Sequence, residues 1–88
     1  MLPDRLNARI AETISNTIDE ERASADTASP VWRERCEIAK VAMLSDSERR
    51  IFLSHVAVNR GSAVASDLES SASQVRTSAI FYLARKPS

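Results

Sequence analysis

Apolar residues in this chain recur at helical spacing, in stretches separated by short polar breaks. Leu2, Leu6, Ile10, Ile14 and Ile18 come first, one every fourth residue. A helix turns about 100° per residue, so each step of four carries the stripe about 40° around the surface. The spacing predicts a helix over residues 4–22 that lies obliquely across its neighbours. A coiled-coil seam would alternate threes and fours instead. Asp4 after Pro3 suits the start of this helix. Asp19, Glu20 and Glu21 stand at its C-terminal end, where the helix dipole disfavours acids.

The stretch "ASADTASP", residues 23–30, is small and polar and reads as the linker. It ends in a helix start: Ser29 can cap, and Pro30 fits the first helical position, where its missing N–H costs nothing. Trp32, Cys36, Ala39 and Met43 then fall on one helical face, widened by Val31, Ile38 and Ala42. Arg33, Glu34, Glu37 and Lys40 form the wet side. The second helix is expected over residues 30–44.

"SDSE", residues 45–48, has the form of a capping box, with Ser45 at the cap and Glu48 three residues on. It predicts a short turn and a third helix over 46–59, stopped by the left-handed conformation that Gly61 tolerates. This helix is apolar on two sides. Phe52, Leu53, Val56 and Ala57 make the main face; Ile51 and Val58 project nearly opposite, with His55 beside them. A helix apolar on both sides is either central in the fold or meets a partner.

In the remainder, Leu68, Ala72, Val75, Ala79 and Tyr82 alternate spacings of four and three. Ser71 and Gln74 form a second capping-box pattern, which favours a break near Ser70–Ser73. Residues 62–86 are accordingly either one helix or two pieces, 62–70 and 72–86. "AIFYLA", residues 79–84, is apolar almost all round. Pro87 cannot continue the helix. The expected fold is all-α, a compact bundle of four to five helices in one domain, with a core of Ile, Leu, Val and Ala around Trp32 and Phe52.

Composition supports this class. One glycine and three prolines leave few places to break a helix, and a β-sandwich needs more turns than that. Eighty-eight residues bury only about 60% of the surface of the unfolded chain, so packing must be good or a partner must help. Twelve basic and twelve acidic side chains cancel and form no basic block, which argues against a nucleic-acid partner. A lone cysteine points to a reducing compartment, and "MLPDRLNARI" has no continuous apolar run of the kind that directs secretion. The expected location is the cytoplasm. The run Ala79–Ala84 is far too short to span a membrane.

Chemistry is sparse. Cys36 and His55 are the only pair suited to nucleophilic catalysis, and nothing in their spacing brings them together. Two such residues are too few for structural zinc. One glycine cannot build a phosphate-cradling loop. No catalytic residue, metal or cofactor is expected, and no enzymatic activity. The surplus apolar surface favours protein binding, with Ile51, His55, Val58, Phe81 and Tyr82 as contact residues and a homodimer or a host protein as partner. The alternative is a small helix-turn-helix-like DNA regulator using Arg50, His55 and Asn59. On a helical wheel its arginines form no single basic stripe.

"VWRERCE" at 31–37, "ERRIFL" at 48–53 and "NRG" at 59–61 resemble a group of small uncharacterised helical proteins of bacteriophages and prophages. The resemblance covers residues 31–61 and carries over no functional residue. It implies a phage or mobile-element setting in a bacterial host cell. Small phage proteins of that kind often act by binding and blocking a host protein, as anti-CRISPR and other anti-defence inhibitors do.

Overall fold

A computed structural model describes residues 4–85. Its helices are α1 (Asp4–Arg22), α2 (Pro30–Met43), α3 (Asp46–Arg60) and α4 (Ser62–Arg85). The fold is all-α, and no strand occurs among the described residues. Leu2 and Pro3 at one end, and Lys86 and Pro87 at the other, lie outside them.

The boundaries follow from local chemistry. Ser29 accepts a hydrogen bond on its hydroxyl from the Trp32 N–H at 3.1 Å, with Pro30 following as the first helical residue. α2 gives way at Leu44, whose backbone is already extended. Ser45 and Glu48 close both halves of the capping box: the Glu48 N–H donates to the Ser45 hydroxyl, and the Ser45 N–H donates to the Glu48 carboxylate. Gly61 separates α3 from α4 at φ 101° and ψ 153°. This is not the left-handed helical stop that the sequence suggests. It is an extended conformation at positive φ, a region open essentially to glycine alone.

α4 is one helix, without the break expected near Ser70–Ser73. Serine costs only a few tenths of a kcal/mol relative to alanine inside a helix. Ala72, in the middle of the serines, is fully buried, and that packing holds the helix straight through. The buried stripe also differs from the expected seam. It runs through Ala65, Leu68, Ala72, Arg76 and Ala79, while Val75 is half-buried and Tyr82 is exposed.

α4 touches all three other helices, and so does α2, while α1 and α3 do not touch each other among the described residues. α2 and α4 are therefore the central pair. The core joins Ile10, Ile14 and Ile18 of α1 to Trp32, Ala39, Val41 and Ala42 of α2, Leu53 and Val56 of α3, and the small residues of α4. Trp32 is buried, as expected. Phe52 is only half-buried, because α3 turns Leu53 and Val56 inward and leaves Phe52 on the flank. Val31, expected to widen the buried face of α2, is exposed in its first turn.

The molecule is flat, 42 × 36 × 15 Å between Cα atoms, with a radius of gyration of 13.6 Å. A rounder chain of this length has about 12 Å. A slab exposes more surface per residue than a ball, and apolar side chains stay on it.

Candidate functional site

Apart from Val31 in the first turn of α2, the exposed large apolar residues lie on α3 and at the end of α4. Ile51 is 61% exposed and Val58 84%, with His55 exposed between them. They fall at i, i+4 and i+7, two helical turns that span about 10 Å. Their side of α3 is opposite Leu53, which with Val56 is buried against the core. The second group is Phe81, 63% exposed, and Tyr82, 54% exposed, with Ile80 partly exposed beside them.

These groups form two patches. Opposite the first half of α3, α4 presents its residues 66–80, and Ile80 lines the trough between the two helices together with Arg50 and Leu53. Tyr82 turns the other way. It closes one end of a groove of about 420 Å³ between α1, α2 and α4, whose floor includes Ile14, Ile18, Ile38 and Val75. Small side chains on α4, Ser71, Ser78 and Ala79, leave that groove open.

Several charged side chains serve the fold. The Arg35 Nε–H and Nη2–H donate to the two carboxylate oxygens of Glu21, at 3.0 and 2.9 Å. These hydrogen bonds hold the Glu21 carboxyl below its ordinary range. Arg22 pairs with Asp19 at 3.0 Å, and its guanidinium carbon stands 6.0 Å from the Trp32 ring centre. Two of the three acids at the end of α1, Asp19 and Glu21, are thus offset by arginines. Arg60 of α3 reaches Glu37 of α2 at 2.8 Å.

Arg76 is the buried charge among the described residues, with 8% of its surface exposed. Its Nη1–H donates to the Ala42 carbonyl oxygen at 2.8 Å, near the C-terminal end of α2. Arg49 adds a hydrogen bond to the Leu44 carbonyl oxygen at 2.9 Å and an ion pair with Asp46. Two arginines thus meet the negative end of the α2 dipole. Burial, and then the neighbouring Arg49 charge, lower the pKa of Arg76 from its ordinary value.

Cys36 is half-buried and packs against the core, whereas His55 projects from the outer side of α3. The structure does not bring them together as a catalytic pair. No group of three or more His, Cys, Asp or Glu residues placed to hold a metal occurs among the described residues. No helix among them is long and apolar enough to cross a membrane. Arg50, His55 and Asn59 are all exposed, but Arg50 faces the α3–α4 trough and the other two do not line it. α3 also pairs mainly with α4 rather than with α2, its partner in a helix-turn-helix.

A model of a family of unknown function, DUF7696, matches residues 25–79, more than half of the chain. The chain belongs to that family. No curated protein and no solved structure matches it. The DUF7696 segment takes in α2, α3 and most of α4, with Ile51, His55, Val58 and Arg76. It stops short of Phe81 and Tyr82 and leaves out α1. It also contains residues 31–61, which carry the phage resemblance, but the family description names neither source nor activity.

Sequence reasoning missed Arg76 and Val41, and read Ile80 only as part of the apolar C-terminal end. A signal existed for Arg76: it stands at the four-residue step after Ala72, where a core helix normally places an apolar side chain. A charge there requires a built-in partner.

Proposed function

We propose that this chain is a non-catalytic protein-binding module, and that Ile51, His55 and Val58 on α3 form its main contact surface. The exposure of two β-branched aliphatic side chains, one helical repeat apart on an otherwise uncharged stripe, carries this reading. Burying each against a partner gains about 1.5–3 kcal/mol. A stripe of this kind suits a facing helix or groove. Phe81 and Tyr82 supply a second contact, since aromatic side chains concentrate at interfaces.

The partner in this reading is a second copy of the chain or a host protein. The phage resemblance of residues 31–61 adds the setting: an inhibitor or accessory protein that blocks a host protein in the bacterial cytoplasm. Formal neutrality leaves self-association unopposed by charge. DNA reading draws less support, because Arg49 and Arg60 are held by Asp46 and Glu37 and Arg50 stands apart from His55.

Light scattering together with capture from a bacterial lysate tests the proposal. The wild-type chain is expected at twice the monomer mass, or to retain one host protein at a fixed ratio. Ile51→Asp and Val58→Asp should abolish whichever is seen and leave the circular dichroism helical. If both variants stay folded and keep the wild-type mass and capture, the α3 surface is not the contact.

A further inference from the structure

The trough between α3 and α4 has a volume of about 840 Å³, within the range of ligand sites, and its walls carry more positive than negative charge. Three arginines, Arg49, Arg50 and Arg76, stand against two carboxylates, Asp46 and Glu69, which leaves a net charge of +1. Asp46 is taken up by Arg49. Glu69 forms no ion pair among the described residues, and neither does Arg50 or Arg76.

Arg76 is the informative member. Of its five N–H donors, the structure uses one, to the Ala42 carbonyl. No fully buried side-chain nitrogen lacks a partner among the described residues, so its remaining nitrogens reach solvent. Arg76 lines the trough, and the rest of the residue is buried. A planar guanidinium edge, sunk in a low-dielectric wall and not hydrogen-bonded by protein, is a strong and directional site for a carboxylate. Arg50 stands in the opposite wall, and Ser73 and Thr77 add hydroxyls.

We infer that the α3–α4 trough binds a single carboxylate group at the guanidinium edge of Arg76, with Arg50 in the facing wall adding positive charge. The charge balance selects the class: one negative charge neutralises a net +1, whereas a phosphate near pH 7 brings about −1.5 to −2. The carboxylate is that of an acidic side chain in a partner peptide or of a free organic acid. This site is independent of the apolar stripe on α3, which faces away from the trough.

NMR titration of the whole chain tests it, with propionate, a capped single-glutamate peptide, inorganic phosphate and chloride at matched ionic strength. Propionate and the peptide should shift the Arg76 side-chain N–H signal saturably, and chloride should not. Arg50→Gln should weaken that binding roughly five-fold. Ser73→Glu, which places a carboxylate in the trough one turn from Arg76, should abolish it, and Ser78→Glu on the α1 side should leave it intact. Tighter binding of the peptide than of propionate assigns the site to a protein partner; equal binding assigns it to a free acid. The inference is overturned if carboxylate shifts do not exceed those of chloride, if phosphate binds more tightly, or if Arg50→Gln changes nothing. Val58→Asp should leave the titration unchanged, so loss of partner capture and loss of carboxylate binding are separable results.

Discussion

α2 and α3 are consecutive helices of similar length, joined by a two-residue turn, yet they stand in opposite situations. α2 is enclosed. Trp32 and Ala39 are buried on one side, and Val41, about half a circumference away from Trp32, is fully buried on the other. α3 is a border element. Leu53 and Val56 are buried, and the opposite side presents Ile51 and Val58 to solvent. The difference lies in neighbours: α2 touches three helices, while α3 packs chiefly on α4. Beyond its first turn, where Val31 is exposed, α2 thus buries apolar residues on two sides, whereas Ile51 and Val58 on the outer side of α3 are available to something else.

The sharpest way to break this contrast is to place the same substitution on both helices. Val41→Asp buries a carboxylate with no partner and is expected to cost about 3 kcal/mol or more, enough to unfold a domain of this size. Val58→Asp should stay within about 0.5 kcal/mol of wild type in a urea titration. If Val58→Asp destabilises the isolated monomer as strongly as Val41→Asp, the outer side of α3 is not free in solution and the border description fails.

Arg76 and Gly61 come next: Arg76 ties α4 to the end of α2, and Gly61 joins α3 to α4. Arg76→Met keeps much of the aliphatic stem but leaves the Ala42 carbonyl without its donor, an expected loss of about 1–3 kcal/mol. Thermal unfolding monitored by circular dichroism measures it. An unchanged midpoint means that the buried charge contributes nothing beyond its packing. Gly61→Ala meets no atom within 4 Å, so its cost is purely conformational. Holding alanine at φ 101° is expected to cost about 1–3 kcal/mol. A smaller loss implies that the α3–α4 connection relaxes to another backbone.

The helix starts were legible because capping chemistry is local. Ser29-Pro30 and the Ser45–Glu48 box each specify a boundary within four residues, and both appear with their hydrogen bonds in place. The isoleucine stripe of α1 was legible for the same reason, since period alone defines a face. Partners were not legible. Period marks Ile51 and Val58 as a second face, but whether a helix covers that face depends on where α1 and α4 fold back. Serines 70, 71 and 73 favour a break locally, and the burial of Ala72 against distant residues overrides them. Arg76 sits in a core stripe for a reason 34 residues away in the chain, the Ala42 carbonyl. The candidate contact residues were read as an apolar surplus, and their division into two patches required the path of α4.

The smallest expected effect concerns the junction of α1, outside the family-matched segment, with α2, inside it. Glu21 and Arg35 bridge that junction with two hydrogen bonds, and the Glu21 carboxyl is held below its ordinary value of 4.5. A carboxylate whose folded pKa is depressed stabilises the fold fully above its unfolded pKa and loses that contribution as pH falls through the folded value. Acid should therefore weaken the wild-type chain more than Glu21→Gln. Both side chains are more than a third exposed, so the pair contributes under about 1 kcal/mol. Glu48 is lowered in the same direction by its hydrogen bonds with Ser45 and titrates in both proteins, so the difference between them isolates Glu21. Urea titrations at about pH 6 and about pH 3 should show the advantage of wild type over Glu21→Gln shrinking towards zero at the lower pH. An advantage that persists there is not carried by the ionised carboxylate, and α1 then docks on α2 through its isoleucine stripe without help from charge.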